Sequence, residues 1–224
     1  MPGAFFPDPA TYALFVAAAV ALILTPGPDT LFVLSQAVQS RGLGARAALG
    51  VAVGVLFHTL LATLGIAAVY RAVPGAATAV RLLGGAYLVY LGVTTLRDAG
   101  AGAANAGEGT AGTGGISEGG AADPATRATG GFRRGFLVNA ANPQVALFFL
   151  AFLPGFANAG GFAGSVRMAL FGATYAAITA VYLVGVAVLA DAAARMVASP
   201  RTATWIDRIA GVVLVGMGLW LALG

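Results

Sequence analysis

The amino-acid sequence predicts an all-α integral membrane protein of six transmembrane helices, arranged as two inverted three-helix repeats with helices 1 and 4 broken. Three observations carry this reading. The 224 residues are 59% hydrophobic and only 9% charged, with a mean hydropathy of +0.89, whereas a soluble domain holds roughly a quarter charged residues. Clean apolar runs of about 20 residues recur, the length that crosses a ~30 Å hydrocarbon core as a helix. Two of these runs contain prolines where lipid demands unbroken backbone hydrogen bonding. The runs lack the two-residue alternation of a transmembrane β-barrel.

Taken in order, the spans are expected at Ala10 to Val38, Leu43 to Val69, Ala76 to Leu96, Gly135 to Phe156, Val166 to Ala190 and Trp205 to Leu223. No Lys or Arg precedes Tyr12, so the basic start of a secretory signal peptide is missing and the first run reads as a retained span. The sixth is the shortest and opens with Trp205 and the Asp207/Arg208 pair. An indole there suits the membrane interface, where its apolar body and its polar N–H both find partners.

Between the third and fourth spans lies AGAANAGEGTAGTGGISEGGAADPATRATGG, almost wholly Gly, Ala, Ser, Thr and acid. Such a stretch buries too little apolar surface to offset its ordering entropy and is expected to be a flexible cytoplasmic tether. The chain therefore divides into a first three-helix repeat (1–97), a linker (98–131) and a second three-helix repeat (132–224). An odd number of spans per half relates the halves by inverted topology.

All twelve basic residues are arginine. Placing both termini outside puts nine of them on the cytoplasmic side: Arg41, Arg46, Arg97, Arg127, Arg133, Arg134, Arg195, Arg201 and Arg208. Arg71, Arg81 and Arg167 fall on the other side, a bias of the kind that sets orientation. The formal charge of +4 thus sorts by membrane side and does not form a nucleic-acid surface. Zero cysteines exclude disulfides and thiolate metal sites, and one histidine makes no metal cluster. No catalytic residues, metal or cofactor are expected.

The two breaks follow one grammar. Thr25-Pro26-Gly27-Pro28-Asp29-Thr30 places two prolines around a glycine; each proline removes a donor and pushes its predecessor out of the α region. A helix should restart at Pro28 with Asp29 in its first turn, where the dipole favours an anion. In the fourth span Asn142 is a good N-cap and Pro143 a good first residue. Both restarts leave N–H groups free inside the membrane, while unwound carbonyls and Asp29 suit a cation or proton, a combination matching a zwitterion. At about 1.5 Å per residue, Pro28 lies roughly 20 Å from Arg41 and Asn142 roughly 12 Å from Arg134.

Asp29 is the one acid deep in a span, a position functional by default, with helix capping the plainer alternative. His58, mid-span in the second helix, is a candidate proton relay or a neutral histidine bonded to a neighbour. Asn139 and Gln144 flank the second break as amide ligands or as interhelical bonds. Tyr87 and Tyr90, and Tyr175, Thr179 and Tyr182, read as packing residues. Gly50 and Gly54 form a GxxxG pair whose first use is close packing within the bundle and whose second is dimerisation.

With these residues in view, the chain resembles the LysE/RhtB amino-acid exporters. TPGPD at Thr25 to Asp29, GAYLVYLGVTTLR at Gly85 to Arg97, and NPQVALFFLAFLP at Asn142 to Pro154 are similar to that family's signature segments, in order and over nearly the full length. The resemblance implies six spans and export of small amino acids or derivatives from the cytoplasm, with proton-motive-force coupling. It carries Pro26, Gly27, Pro28 and Asp29 onto the first motif, and Asn142 and Pro143 onto the second. Gln144 departs from the family's usual Asn-Pro-Lys, removing a cation that could pair with a substrate carboxylate.

The expected protein is therefore a multi-pass exporter of the prokaryotic plasma (inner) membrane, working by alternating access around the two broken helices. Its expected partners are an amino-acid-like small molecule, protons and membrane lipid, with a homo-oligomer left open. Substrate contacts are assigned to Pro26, Gly27, Pro28, Asp29, Asn139, Asn142, Pro143 and Gln144, and proton coupling to Asp29 and His58. A dibasic substrate would need a second buried anion, which tilts the expectation towards neutral amino acids. The alternatives are an inorganic-ion transporter on the same scaffold, a non-transporting membrane subunit, and an intramembrane enzyme using Ser35 or His58, for neither of which a catalytic partner is visible.

Overall fold

Asp8 opens the first helix, α1 (Pro9–Leu24), as an N-cap whose carboxylate accepts the backbone N–H groups of Ala10 and Thr11 at 3.1 and 3.0 Å. The side chain and then the backbone of Thr11 hold this exposed carboxyl below the usual carboxylate range. The structure, a computed structural model, describes residues 6–25, 27–73, 75–99, 124–157, 161–197 and 199–223. Among the described residues the regular elements are helices and no strand occurs.

After α1 come α2 (Pro28–Gln39), α3 (Arg41–Ala72) and α4 (Ala76–Asp98). Gly75, at φ +81°, supplies the left-handed residue from which α4 starts. The second half holds α5 (Pro124–Ala140), α6 (Pro143–Ala151), α7 (Leu153–Ala157), α8 (Gly161–Val188), the short α9 (Ala190–Val197) and α10 (Pro200–Leu223). Segments in α3, α4, α8 and α10 are each long and apolar enough to cross a membrane. The pairs α1 with α2, bent by 54°, and α5 with α6 and α7, bent by 57°, bring the spans to six if each is one broken span. Helices 1 and 4 are thus broken where the prolines predict.

The helix that carries the fourth span starts earlier than hydropathy suggests, at Pro124 within the expected linker, while the stretch apolar enough to cross a membrane begins at Gly130, near the expected Gly135. Arg133, Arg134 and the glycines before them carry no apolar signal, but a helix is closed by backbone bonds that need none. Of the expected linker, residues 100–123 lie outside the described residues.

α3 packs against α5 and α8, α2 sits between α3 and α8, α4 pairs with α10, and α1 contacts α8 and α10. Between apolar helices in lipid, close backbone approach and dispersion replace the hydrophobic drive, and small residues permit that approach. Gly50, Gly54, Gly135 and Ala47 do so for α3 and α5: a Cβ on Gly50 would meet the Phe132 carbonyl, and one on Gly135 the Ala47 carbonyl. The GxxxG pair is therefore occupied within the chain. Gly85 with Gly218 and Gly92 with Gly211 do the same for the antiparallel α4 and α10.

Two apolar clusters flank the centre. Phe15, Phe148, Phe152, Phe156 and Phe171 join α1, α6, α7 and α8, with ring centroids as close as 4.4 Å. Val33, Ala37, Val51 and Leu183 join α2, α3 and α8.

Gly50→Ala is expected to lower the thermal unfolding midpoint in detergent, with an overpacking cost of about 1–3 kcal/mol because the obstacle is backbone. Gly65→Ala, whose added methyl meets nothing within 4 Å, is expected to raise it through better helix propensity, by up to about 1 kcal/mol. Equal midpoints for the two variants would contradict the close crossing.

Candidate functional site

The first break is built locally. Thr25 closes the last turn of α1 by donating its hydroxyl to the Ala21 carbonyl at 3.0 Å. Gly27 then runs extended at φ −122°, ψ −173°, as the residue before a proline must. This backbone does not require glycine. Leu31 N–H donates to the Gly27 carbonyl at 3.0 Å, closing the first turn of α2. The N–H groups of Asp29 and Thr30 belong to that first turn, whose donors have no acceptor within the helix itself.

The second break closes on Asn139 and Asn142. The Asn142 N–H donates to the Asn139 carbonyl at 2.9 Å, and the Asn142 Oδ1 accepts the Gln144 N–H at 3.0 Å. This is the N-cap that the Asn-Pro pair predicts.

Asn139, fully buried at the end of α5, ties the breaks together. Its Nδ2 donates to the Asp29 Oδ2 at 2.8 Å, a bond between residues 110 apart in sequence. Its carbonyl stands 3.0 Å from His58 Nε2. A carbonyl oxygen only accepts, so Nε2 carries the proton and the histidine tautomer is set. Gly54 makes room for this amide, since a Cβ there would fall on the Asn139 side chain.

The breaks open onto a cavity of about 60 Å³ lying between the two apolar clusters. The first break contributes Thr25, Gly27, Pro28, Asp29 and Thr30; the second contributes Asn139, Asn142 and Gln144. Leu22, Ile23, Val55, Val145 and Leu183 form apolar wall, and α8 adds Tyr175, Thr179 and Tyr182. Asp29 is the one charged residue of the lining. The Oδ1 atoms of Asp29 and Asn139 and the Thr179 hydroxyl are buried without partners. Among the described residues no group of three or more His, Asp or Glu could hold a metal ion.

Of the residues singled out in the sequence, Gly27, Pro28, Asp29, Asn139, Asn142 and Gln144 therefore meet at one cavity. Pro143 is exposed and does not line it; it starts α6. His58 also stands outside the lining and reaches it through Asn139. Pro26 lies outside the described residues. Sequence reasoning missed Tyr175, Thr179 and Tyr182, taken as packing. Their spacing of four and three places them on one face of a helix, the signal that could have found them.

The family described as LysE type translocator matches residues 20–224. The chain is 38% identical over 162 residues to an uncharacterized membrane protein of Pseudomonas aeruginosa, covering 71% of this chain and 68% of that one. It is 34% identical over 143 residues to the leucine efflux protein of Salmonella typhimurium, covering 63% of this chain and 60% of the relative. The membrane protein YrhP of Bacillus subtilis is 24% identical over 214 residues, 92% of this chain and 95% of its own. No solved structure matches the chain significantly.

Proposed function

The chain belongs to the LysE type translocator family, and on that premise we propose that it exports small neutral amino acids from the cytoplasm across the bacterial inner membrane. The observation that carries the substrate class is the cavity shared by both helix breaks, with Asp29 its one charged residue. A substrate ammonium takes the carboxylate side. Its carboxylate takes the N–H groups at the start of α2, since at α6 the Asn142 side chain already accepts the Gln144 N–H. The side chain lies against Leu22, Ile23, Val55, Val145 and Leu183, a wall suited to an aliphatic group. Leucine efflux by relatives agrees with that choice. With Gln144 in place of a lysine, a second charge on the substrate has no partner in the lining.

Transport proceeds by alternating access of two inverted repeats, residues 1–97 and 132–224, about this cavity, with the linker as tether. Helices in equivalent positions of the halves pair with each other, α3 with α8 and α4 with α10, as a two-fold relation between repeats favours. Both termini face outside, by the arginine bias. The chain acts by binding and movement, without covalent chemistry or a cofactor.

Export draws on the proton motive force. Asp29 carries the coupling proton in alternation with substrate, and His58, whose Nε2–H is engaged by the Asn139 carbonyl, serves as its relay. Reconstituted vesicles loaded with a panel of labelled amino acids test the proposal: efflux of neutral aliphatic amino acids should rise under an imposed pH gradient and fall with a protonophore. Ion-stimulated flux without amino-acid competition would instead establish an inorganic-ion transporter. In the same vesicles His58→Gln is expected to reduce the stimulation by the pH gradient, while one-for-one exchange, which moves no net proton, persists. Full stimulation in that variant removes His58 from the coupling path.

A further inference from the structure

Five threonine hydroxyls in and at the ends of these helices follow a pattern that Thr179 does not. Thr25, Thr59, Thr63, Thr94 and Thr174 each donate to the carbonyl four residues earlier, at 2.7 to 3.1 Å. That back-bond is the ordinary way to satisfy a hydroxyl within a helix in lipid. Thr179 sits within the regular helix α8 and is 5% exposed. Its Oγ1 is nonetheless buried without a partner, and the residue lines the cavity between the breaks. A buried hydroxyl left unpaired is costly, and the helix offers a carbonyl one turn back.

The same cavity holds two more orphans. Asp29 uses one carboxylate oxygen to accept from Asn139 and leaves Oδ1 unpaired, and the Asn139 Oδ1 is unpaired as well. The unused atoms are thus one oxygen of the Asp29 carboxylate, the Asn139 amide oxygen and a hydroxyl that can accept, with no basic residue among the described residues of the lining. Their complement is a compact cation carrying several N–H donors.

We propose that Thr179, together with Asp29 and Asn139, forms the subsite for the primary ammonium group of the transported molecule. This rests on the reading of the cavity as the substrate site and extends it: recognition requires a free amine, so the 2-hydroxy acid and the N-acyl derivative of the same carbon skeleton are excluded. Both lack the charge that Asp29 requires, and the acyl derivative adds bulk beside the carboxylate.

Vesicles loaded with labelled leucine provide the test. In the wild-type chain unlabelled leucine should compete, while its 2-hydroxy analogue competes at least about tenfold more weakly, since it brings one O–H donor and no charge where the ammonium brings three N–H donors and a charge. Thr179→Val, which keeps the shape and removes the hydroxyl, should raise the KM for leucine about tenfold, the usual scale for one hydrogen bond to a charged group. Thr179→Ser should restore it. A wild-type KM in Thr179→Val, or equal competition by the hydroxy acid, overturns the proposal. The competition result decides alone should the valine variant fail to insert. Export that requires Na⁺ or K⁺ in an otherwise ion-free buffer would assign the oxygens to a metal cation and overturn the ammonium assignment. A wild-type chain that moves no amino acid would refute the exporter reading itself, whereas amino-acid export indifferent to Thr179 refutes only this subsite.

Discussion

Asp29→Asn is expected to abolish export while leaving the protein inserted and folded. The amide has the shape of the carboxylate, and the partner can adapt: the Asn139 side chain, which now donates to Asp29 at 2.8 Å, can turn its oxygen to accept from the new amide. What disappears is the charge, and the lining holds no other. Removing the sole charged partner of a cation in a low-dielectric site costs at least about 3 kcal/mol, so export should fall by roughly two orders of magnitude or more. Efflux from vesicles measures the loss, and the amount of monodisperse protein and its unfolding midpoint measure the fold. Wild-type efflux in this variant would reduce Asp29 to a helix-terminal residue. In the structure the N-cap position of α2 is Gly27, and the Asp29 carboxylate accepts a bond from Asn139 across on α5.

Gly54→Val should impair export from a position that touches no substrate. An added Cβ at Gly54 would stand 2.6 to 3.0 Å from three atoms of the Asn139 side chain, nearer than real Cβ contacts come, and valine adds two methyls beyond it. Asn139 must then leave its place and give up the bond to Asp29. Loss of one charge-assisted bond that orients the carboxylate lowers transport by about tenfold or more. Gly50→Ala, one turn away, collides with backbone at Phe132 instead, so it should lose stability first. The measurement is efflux against unfolding midpoint for both variants. If Gly54→Val lost only stability, Asn139 would have no part in holding Asp29.

Much of the membrane architecture was legible before any coordinates. Pro28 and the Asn142-Pro143 pair announced two restarting helices, and both appear with the bends and the Asn142 cap that those residues dictate. The start of the helix before that span was missed, because α5 extends back through glycine and arginine residues that hydropathy does not register. Gly50 and Gly54 announced a close approach without naming the partner, which proved to be α5. Thr179 shares a helix face with Tyr175 and Tyr182 that the sequence spacing marks, but its unpaired hydroxyl is a choice of rotamer that spacing does not reveal.

The division has a physical cause. In lipid each segment must satisfy its own backbone hydrogen bonds, so helix placement and helix breaks are local properties, written in apolar runs and prolines. The sequence by itself therefore determined the helical class, the broken helices and the isolated acid at Asp29. Which faces meet is not local. A span that is apolar nearly all round has no wet side to mark its inward face, and contact is decided by shape, small residues and a few interhelical bonds. Only the tertiary structure could bring Asn139 onto Asp29, set His58 behind it, and turn Thr179 from a packing residue into part of the cavity between the breaks.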